Sequence, residues 1–275
     1  MLKLAVFGNP IKQSKSPIIH KMFAEQVGID IEYTAKLAPV QGFSDCAIEF
    51  FKDPEVKGCN VTAPFKLDAF NFADQLSEVA TTAGAVNTLK RLDNGKILGD
   101  NTDGGGLVND ILNQGVNLTD MNILLIGAGG ASRGVLMSIL KQNPASLSIV
   151  NRTVETAQQL VGIGNSISTQ AQLTALSFAQ LDSLKFDIVI NATSLSLTDE
   201  LPDIPKSCVK NAALVYDMVY RRQPTAFLKW AKENGAKTTI DGLGMLIGQA
   251  ALSFQIWTGH LPDTKKVEQA IRDLN

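Results

Sequence analysis

The stretch from Asn122 to Leu140 limits the possible folds more than any other part of the chain. Ile123-Leu124-Leu125-Ile126 is a continuous apolar run of the kind a strand buried on both faces requires. It leads into Gly127-Ala128-Gly129-Gly130-Ala131-Ser132-Arg133-Gly134, after which Val135, Leu136, Ile139 and Leu140 recur at helical spacing. Strand, glycine turn and helix in that order open a parallel βαβ unit. Glycines let the backbone turn tightly and approach a diphosphate, whose charge is then met by N–H groups and the positive end of the helix. Larger side chains would hold the phosphates off.

The glycine turn is thus a close variant of the Rossmann dinucleotide fingerprint, and Gly127, Ala128, Gly129, Gly130 and Ala131 are candidate cofactor contacts. The next strand, Leu147 to Val150, ends at Asn151-Arg152-Thr153. An NAD-selective site usually presents an Asp or Glu there to the ribose hydroxyl. An acidic group would repel a 2′-phosphate, whereas Arg152 can bind one through a charge-assisted fork, with Asn151 and Thr153 adding hydrogen bonds. The expected cofactor is NADP rather than NAD.

Elsewhere, short apolar runs alternate with helical segments, which implies an α/β fold with mainly parallel sheet. Strands are expected at Leu4–Phe7, Tyr33–Leu37, Gly58–Val61, Ile188–Ile190 and Leu214–Tyr216. Helices are expected after Ser16-Pro17, with Ser16 as N-cap, from about Gly42 to Phe51, from Pro64 onward, and from Leu246 to Trp257. Gly162 to Ala175 reads as loop and frayed helix. At 275 residues the chain exceeds the size at which one core usually stops growing, so two subdomains are expected.

Composition narrows the partners. A net charge of −2 leaves no basic footprint for nucleic acid and no polybasic membrane patch. The N-terminal apolar run is too short for a signal peptide, and no run approaches transmembrane length. Cys46, Cys59 and Cys208 are odd in number and lack C-x-x-C spacing, which fits a reducing cytoplasm and no cysteine-rich zinc site. With only His20 and His260, there is little material for a metal centre or a Ser-His-Asp triad. Both are expected on a surface or helix face, and Cys59, Trp230 and Trp257 in packing roles.

Three polar clusters follow strands in the first half: Ser14-Lys15-Ser16-Pro17, Asn60-Val61-Thr62-Ala63-Pro64-Phe65-Lys66 and Asn101-Thr102-Asp103-Gly104. Ligands of open α/β sheets gather at such carboxyl ends. Ser14 and Ser16 at a helix N-terminus suit a carboxylate. Lys66 falls in the first turn of a helix, where the helix dipole disfavours a cation; that placement invites a functional explanation, and a neighbouring Asp103 would hold it.

Together and in order, these clusters resemble the shikimate dehydrogenase family over essentially the whole chain. The likeness continues through Gly84-Ala85-Val86-Asn87-Thr88, Asn191-Ala192-Thr193-Ser194 and Asp241-Gly242-Leu243-Gly244-Met245. The resemblance implies reversible NADPH-dependent reduction of 3-dehydroshikimate to shikimate. It implies that Ser14 and Ser16 hold the substrate carboxylate, that Thr62, Asn87, Asp103 and Gln249 contact its hydroxyls, that Tyr220 touches the substrate, and that Lys66 transfers the proton with Asp103. Met218, Gly242 and Glu78 join the cofactor-binding set, and no metal is implied. The implied layout is an N-terminal α/β substrate domain, 1–102, completed by 237–275, and a Rossmann-type NADP domain with parallel sheet, 103–236. The expected partner is a small-molecule substrate, with the protein a monomer or homodimer in the cytoplasm.

Three departures from the family pattern concern loops: Ala63 where Val is usual, Leu195-Ser196 where a Gly commonly follows Asn-Ala-Thr-Ser, and Pro224-Thr225-Ala226 where Thr-Pro is common. A missing Gly restricts the backbone there. The competing readings are a paralogue that also accepts quinate, often with NAD, and a non-catalytic shikimate sensor; Arg152 and the Ser14/Ser16 pair oppose the first, Lys66 and Asp103 the second.

Overall fold

In the computed structural model, which describes residues 1–167 and 169–274, the alternating apolar and helical segments build two six-stranded sheets. Each sheet lies in its own compact unit, one formed by Met1–Gly106 with the segment from Ile247 onward, the other by Leu107–Leu246.

The first unit runs β1 (Leu2–Gly8), α1 (Ser16–Val27), β2 (Ile31–Leu37), α2 (Phe43–Phe51), β3 (Val56–Val61), α3 (Lys66–Phe72), β4 (Gln75–Leu76), α4 (Glu78–Ala83), β5 (Thr88–Arg91) and β6 (Ile97–Asp100). Its sheet has the order β2-β1-β3-β5-β6-β4, parallel across β2, β1 and β3 and antiparallel through β5. Side chains alternate between the two faces. Ala5, Phe7, Cys59 and Val61 enter a core under α2 and α3 with Phe43, Phe65 and Leu89. Leu4 pairs with Tyr33 and Val6 with Asn60, so the opposite face of the sheet carries two polar side chains astride β1.

α5 (Asp103–Asn113) carries the chain into the second unit. There follow β7 (Asn122–Ile126), α6 (Gly130–Leu140), β8 (Ser146–Val150), α7 (Val154–Asn165), β9 (Gln172–Leu176), β10 (Ile188–Asn191), β11 (Leu214–Asp217), α8 (Ala226–Glu233) and β12 (Thr238–Asp241). The sheet is wholly parallel, in the order β12-β11-β10-β7-β8-β9. Its central strands are buried on both faces: Ile123 and Leu125 pack with Val135, Ile139 and Ile149, while Leu124 and Ile126 pack with Val189, Val215 and Phe227. α9 (Leu243–Thr258) returns the chain to the first unit, where α10 (Thr264–Leu274) ends it. Among the described residues no helix is long and apolar enough to cross a membrane.

Three expectations need correction. The end of the stretch Gly162 to Ala175, read as loop and frayed helix, enters the edge strand β9 (Gln172–Leu176), in register with β8 from Ser146↔Gln172 to Val150↔Leu176. Its Gln172 and Thr174 alternate with Leu173 and Ala175, a pattern set by pairing at a half-exposed edge and not by helical period. Ser16 is not the N-cap of α1. Lys15 occupies that position, no side chain caps the helix, and Ser16 is the first helical residue. Pro64 likewise precedes α3 without starting it, because Phe65 is the cap and Lys66 the first helical residue.

Candidate active site

In the first unit, segments far apart in sequence converge on one ion pair. Lys66 Nζ lies 2.5 Å from Asp103 Oδ2. Lys66 opens α3 and Asp103 opens α5, so the fold sets both at helix starts. A carboxylate suits that end of a helix; the ammonium does not, and its position rests on the carboxylate. Both are half-buried, which leaves the pair reachable. Asn87, next to β5 and nearly fully buried, donates from Nδ2 to Asp103 Oδ1 at 2.8 Å, and Gln249 Oε1 of α9 lies 3.4 Å from the same nitrogen. Lys66, Asn87, Asp103 and Gln249 are thus brought together.

Ser14 and Ser16 lie at the start of α1, where the Ser14 hydroxyl accepts the Ser16 backbone N–H at 3.3 Å. Thr62 follows β3 directly, its backbone N–H bonded to Phe7 carbonyl oxygen at 2.9 Å. Ser14, Ser16 and Thr62 therefore all lie at the carboxyl ends of β1 and β3.

Asn60 stands in a polar cluster of the sequence without an expected role, and Tyr33, His20 and Ser253 are not among the expected site residues. Asn60 Nδ2 donates to the Asn87 carbonyl at 3.2 Å, to Thr88 Oγ1 at 3.2 Å and to Ser253 Oγ at 2.9 Å. Tyr33 hydroxyl and His20 Nε2 meet Asn60 Oδ1 at 2.8 and 3.1 Å. His20, expected on a surface or helix face, lies on the buried face of α1 and stacks on Tyr33 with ring centroids 4.3 Å apart. α1 turns that side chain inward with Ile19 and Phe23, and burial pushes the imidazole down to about 3, although the Asn60 bond opposes the shift. One signal was available: Gln249, Ser253 and Trp257 recur every four residues and share a face of α9. Trp257 fills the packing role expected of it and bonds the Leu89 carbonyl at 2.9 Å.

In the second unit, Gly127 has φ +100°, a backbone conformation open to glycine, and its N–H bonds the Val150 carbonyl at 2.8 Å. Ser132, buried, donates to the Gly127 carbonyl at 2.7 Å and locks the turn. Gly129 is the N-cap of α6 with no side chain bonded to the helix start, and Gly129, Gly130 and Ala131 are exposed. A Cβ on Gly129 or Gly130 would meet no atom within 4 Å. Open backbone donors at a helix start fit a diphosphate. Asn151 Nδ2 bonds the Thr153 carbonyl at 2.9 Å, Thr153 is the N-cap of α7, and Arg152 is exposed beside them.

Met218 follows β11 and Gly242 follows β12. A Cβ on Gly242 would fall 2.1 Å from the Met218 carbonyl oxygen, so the two loops touch only because residue 242 is glycine. Tyr220 is half-buried, and burial, then the Asp241 charge, pushes its phenol up. Glu78 is the exposed first residue of α4 in the first unit. A buried carboxylate, Asp217, was also missed: it accepts hydrogen bonds from Ser196 at 2.6 Å, Thr225 at 2.7 Å, Val219 N–H at 3.2 Å and Asn191 at 3.2 Å. This accounts for two departures from the family pattern. The Ser196 hydroxyl is fully buried in a short 3-10 turn, Leu195–Leu197, that has no positive φ, and Thr225 caps α8.

The chain matches known proteins over nearly its whole length. Residues 6–89 match the shikimate dehydrogenase substrate binding domain, residues 107–212 the shikimate / quinate 5-dehydrogenase family, and residues 242–272 the shikimate 5'-dehydrogenase C-terminal domain. The chain is 52% identical to the shikimate dehydrogenase (NADP(+)) of Photobacterium profundum, over 99% of this chain and 98% of the other. Among solved structures it is similar to the Ael1 enzyme from Pseudomonas putida, with TM-score 0.93 and 41% identity over 98% of both chains. It is also similar to shikimate 5-dehydrogenase from Thermus thermophilus in complex with NADP(H) and shikimate, with TM-score 0.85 and 30% identity over the full length of both.

Proposed function

Because the chain belongs to the shikimate dehydrogenase family, we propose that it catalyses the reversible NADPH-dependent reduction of 3-dehydroshikimate to shikimate, a step in aromatic amino-acid biosynthesis. The observation that carries this reading is the half-buried Lys66–Asp103 pair, held at 2.5 Å and flanked by the amides of Asn87 and Gln249.

The nucleotide supplies a hydride to the substrate carbonyl when bound. As that oxygen gains alkoxide charge, the Lys66 ammonium stabilises it and delivers a proton; in the oxidative direction the same group receives the hydroxyl proton. Asp103 fixes the ammonium and accepts from a substrate hydroxyl. Ser14 and Ser16 bind the substrate carboxylate, and Thr62, Asn87, Gln249 and Tyr220 orient the ring through its hydroxyls. In the second unit, the turn Gly127 to Ala131 holds the diphosphate, with backbone N–H groups beyond Gly127 as donors, and Asn151, Arg152 and Thr153 take the 2′-phosphate. Met218, Gly242 and Glu78 complete the cofactor set.

On this reading the substrate domain, residues 1–102 with 237–275, takes in most of the first unit, and residues 103–236 bind NADP, although β12 at 238–241 pairs in the sheet of the second unit. The enzyme acts on a small-molecule substrate in the cytoplasm as a monomer or homodimer. The test follows nucleotide absorbance with shikimate or quinate and NADP⁺ or NAD⁺. Rapid turnover is expected only with shikimate and NADP⁺, and Lys66→Ala is expected to lower kcat by about 10²–10⁴-fold. Full turnover without the Lys66 amine would remove it from the chemistry.

A further inference from the structure

The buried polar groups behind the ion pair form one connected chain whose donors run in a single direction. Their bonding partners fix the assignments. The Thr102 backbone N–H can only donate, and it meets Asn87 Oδ1 at 3.0 Å, so Asn87 Nδ2 faces Asp103. The Asn87 backbone carbonyl can only accept, and it meets Asn60 Nδ2, so Asn60 Oδ1 faces Tyr33 and His20. His20 Nδ1 has no partner; placing the proton on Nε2 therefore avoids both a buried orphan donor and two acceptors face to face.

With those assignments Tyr33 and His20 both donate to Asn60 Oδ1. Asn60 donates to Thr88 Oγ1, Thr88 donates to Asn87 Oδ1 at 2.8 Å, and Asn87 donates to Asp103 Oδ1. Dipoles aligned in this way polarise one another, and their positive ends converge on the oxygen of Asp103 that Lys66 does not hold. We propose that Tyr33 and His20 are positioning residues, which act through Asn60, Thr88 and Asn87 to hold the Asp103 carboxylate in the orientation that places Lys66. The proposal rests on the assignment of Lys66 and Asp103 to the reaction.

The physical argument sets the expected size. Tyr33→Phe keeps the ring stacked on His20 and removes one of two donors to Asn60 Oδ1, a loss expected to lower kcat about two- to tenfold. Tyr33→Phe with His20→Phe leaves that buried oxygen without a donor and frees the Asn60 amide to rotate; kcat is expected to fall about ten- to a hundredfold. Replacing His20→Phe by His20→Gln in the double variant restores an amide donor and is expected to recover most of the loss. The KM for NADP⁺ is expected to stay within about twofold throughout.

The experiment measures kcat and both KM values for these variants and for Lys66→Ala, per mole of folded protein, with melting temperatures alongside. A graded loss of kcat that the Gln variant reverses supports the proposal. Wild-type kcat in Tyr33→Phe and in whichever double variant folds, beside a collapsed Lys66→Ala, overturns the positioning role alone. Wild-type kcat in Lys66→Ala overturns the reaction assignment and the positioning role together.

Discussion

The two units solve the problem of binding in opposite ways. The first assembles its polar cluster from side chains of α1, β2, β3, α3, β5, α5 and α9, most of them buried and each bonded to the next. The second presents an exposed glycine turn and an uncapped helix start, with Arg152 in the open beside them. Interlocked side chains give fixed geometry to groups that move protons, because a partly satisfied buried network is costly. Backbone donors on a helix suffice for a diphosphate, whose charge is diffuse and whose contacts need reach more than orientation. The first region should therefore fail in turnover and the second in nucleotide affinity.

The strongest test of that contrast is Asp103→Asn. It removes the charge that holds Lys66, and kcat for shikimate oxidation is expected to fall about 10²–10⁴-fold with little change in the KM for NADP⁺. A rise in nucleotide KM with kcat intact would erase the distinction. Arg152→Ala should do the reverse. Loss of charged hydrogen bonds is expected to raise the KM for NADP⁺ about ten- to a hundredfold and to leave turnover with NAD⁺ nearly unchanged. Equal losses with both nucleotides would mean that Arg152 does not read the 2′-phosphate.

A smaller effect concerns acid stability, which should be concentrated in the buried region. Burial holds the folded-state value of His20 near 3, whereas the unfolded chain takes up a proton near 6.5. Between those values the unfolded state binds more protons, so stability from this group is present above pH 6.5 and drains away as the pH falls toward 3. The slope should approach about 1.4 kcal/mol per pH unit below 6. Urea midpoints at pH 7 and pH 5 should converge in His20→Gln relative to the wild type. An unchanged pH dependence would place the His20 proton uptake outside the unfolding transition.

Much of this contrast was legible in the chain. The run Ile123–Ile126 before Gly127 announced a doubly buried parallel strand and its turn, because an all-apolar strand has few other places to lie. Lys66 and Asp103 stood out through their positions after strands. Edge strand β9 did not, since a half-exposed strand needs only weak alternation and draws its order from pairing with β8. Tyr33, His20 and Ser253 did not either, because each is unremarkable among its own neighbours in sequence.

Sequence alone determined the alternation of elements, the glycine turn, the absence of an acid beside Arg152 and the residue types of the Lys66–Asp103 pair. These are local properties, written in periodicity and in backbone sterics. Only the tertiary structure decided that α1 turns His20 inward onto Tyr33, that Asn60 bridges them to Asn87, and that Ser196 and Thr225 surround Asp217. The Asn60–Ser253 bond of the same cluster joins residues 193 positions apart, and a hydrogen bond across such a span exists only once the sheet of the first unit and α9 have come together around it.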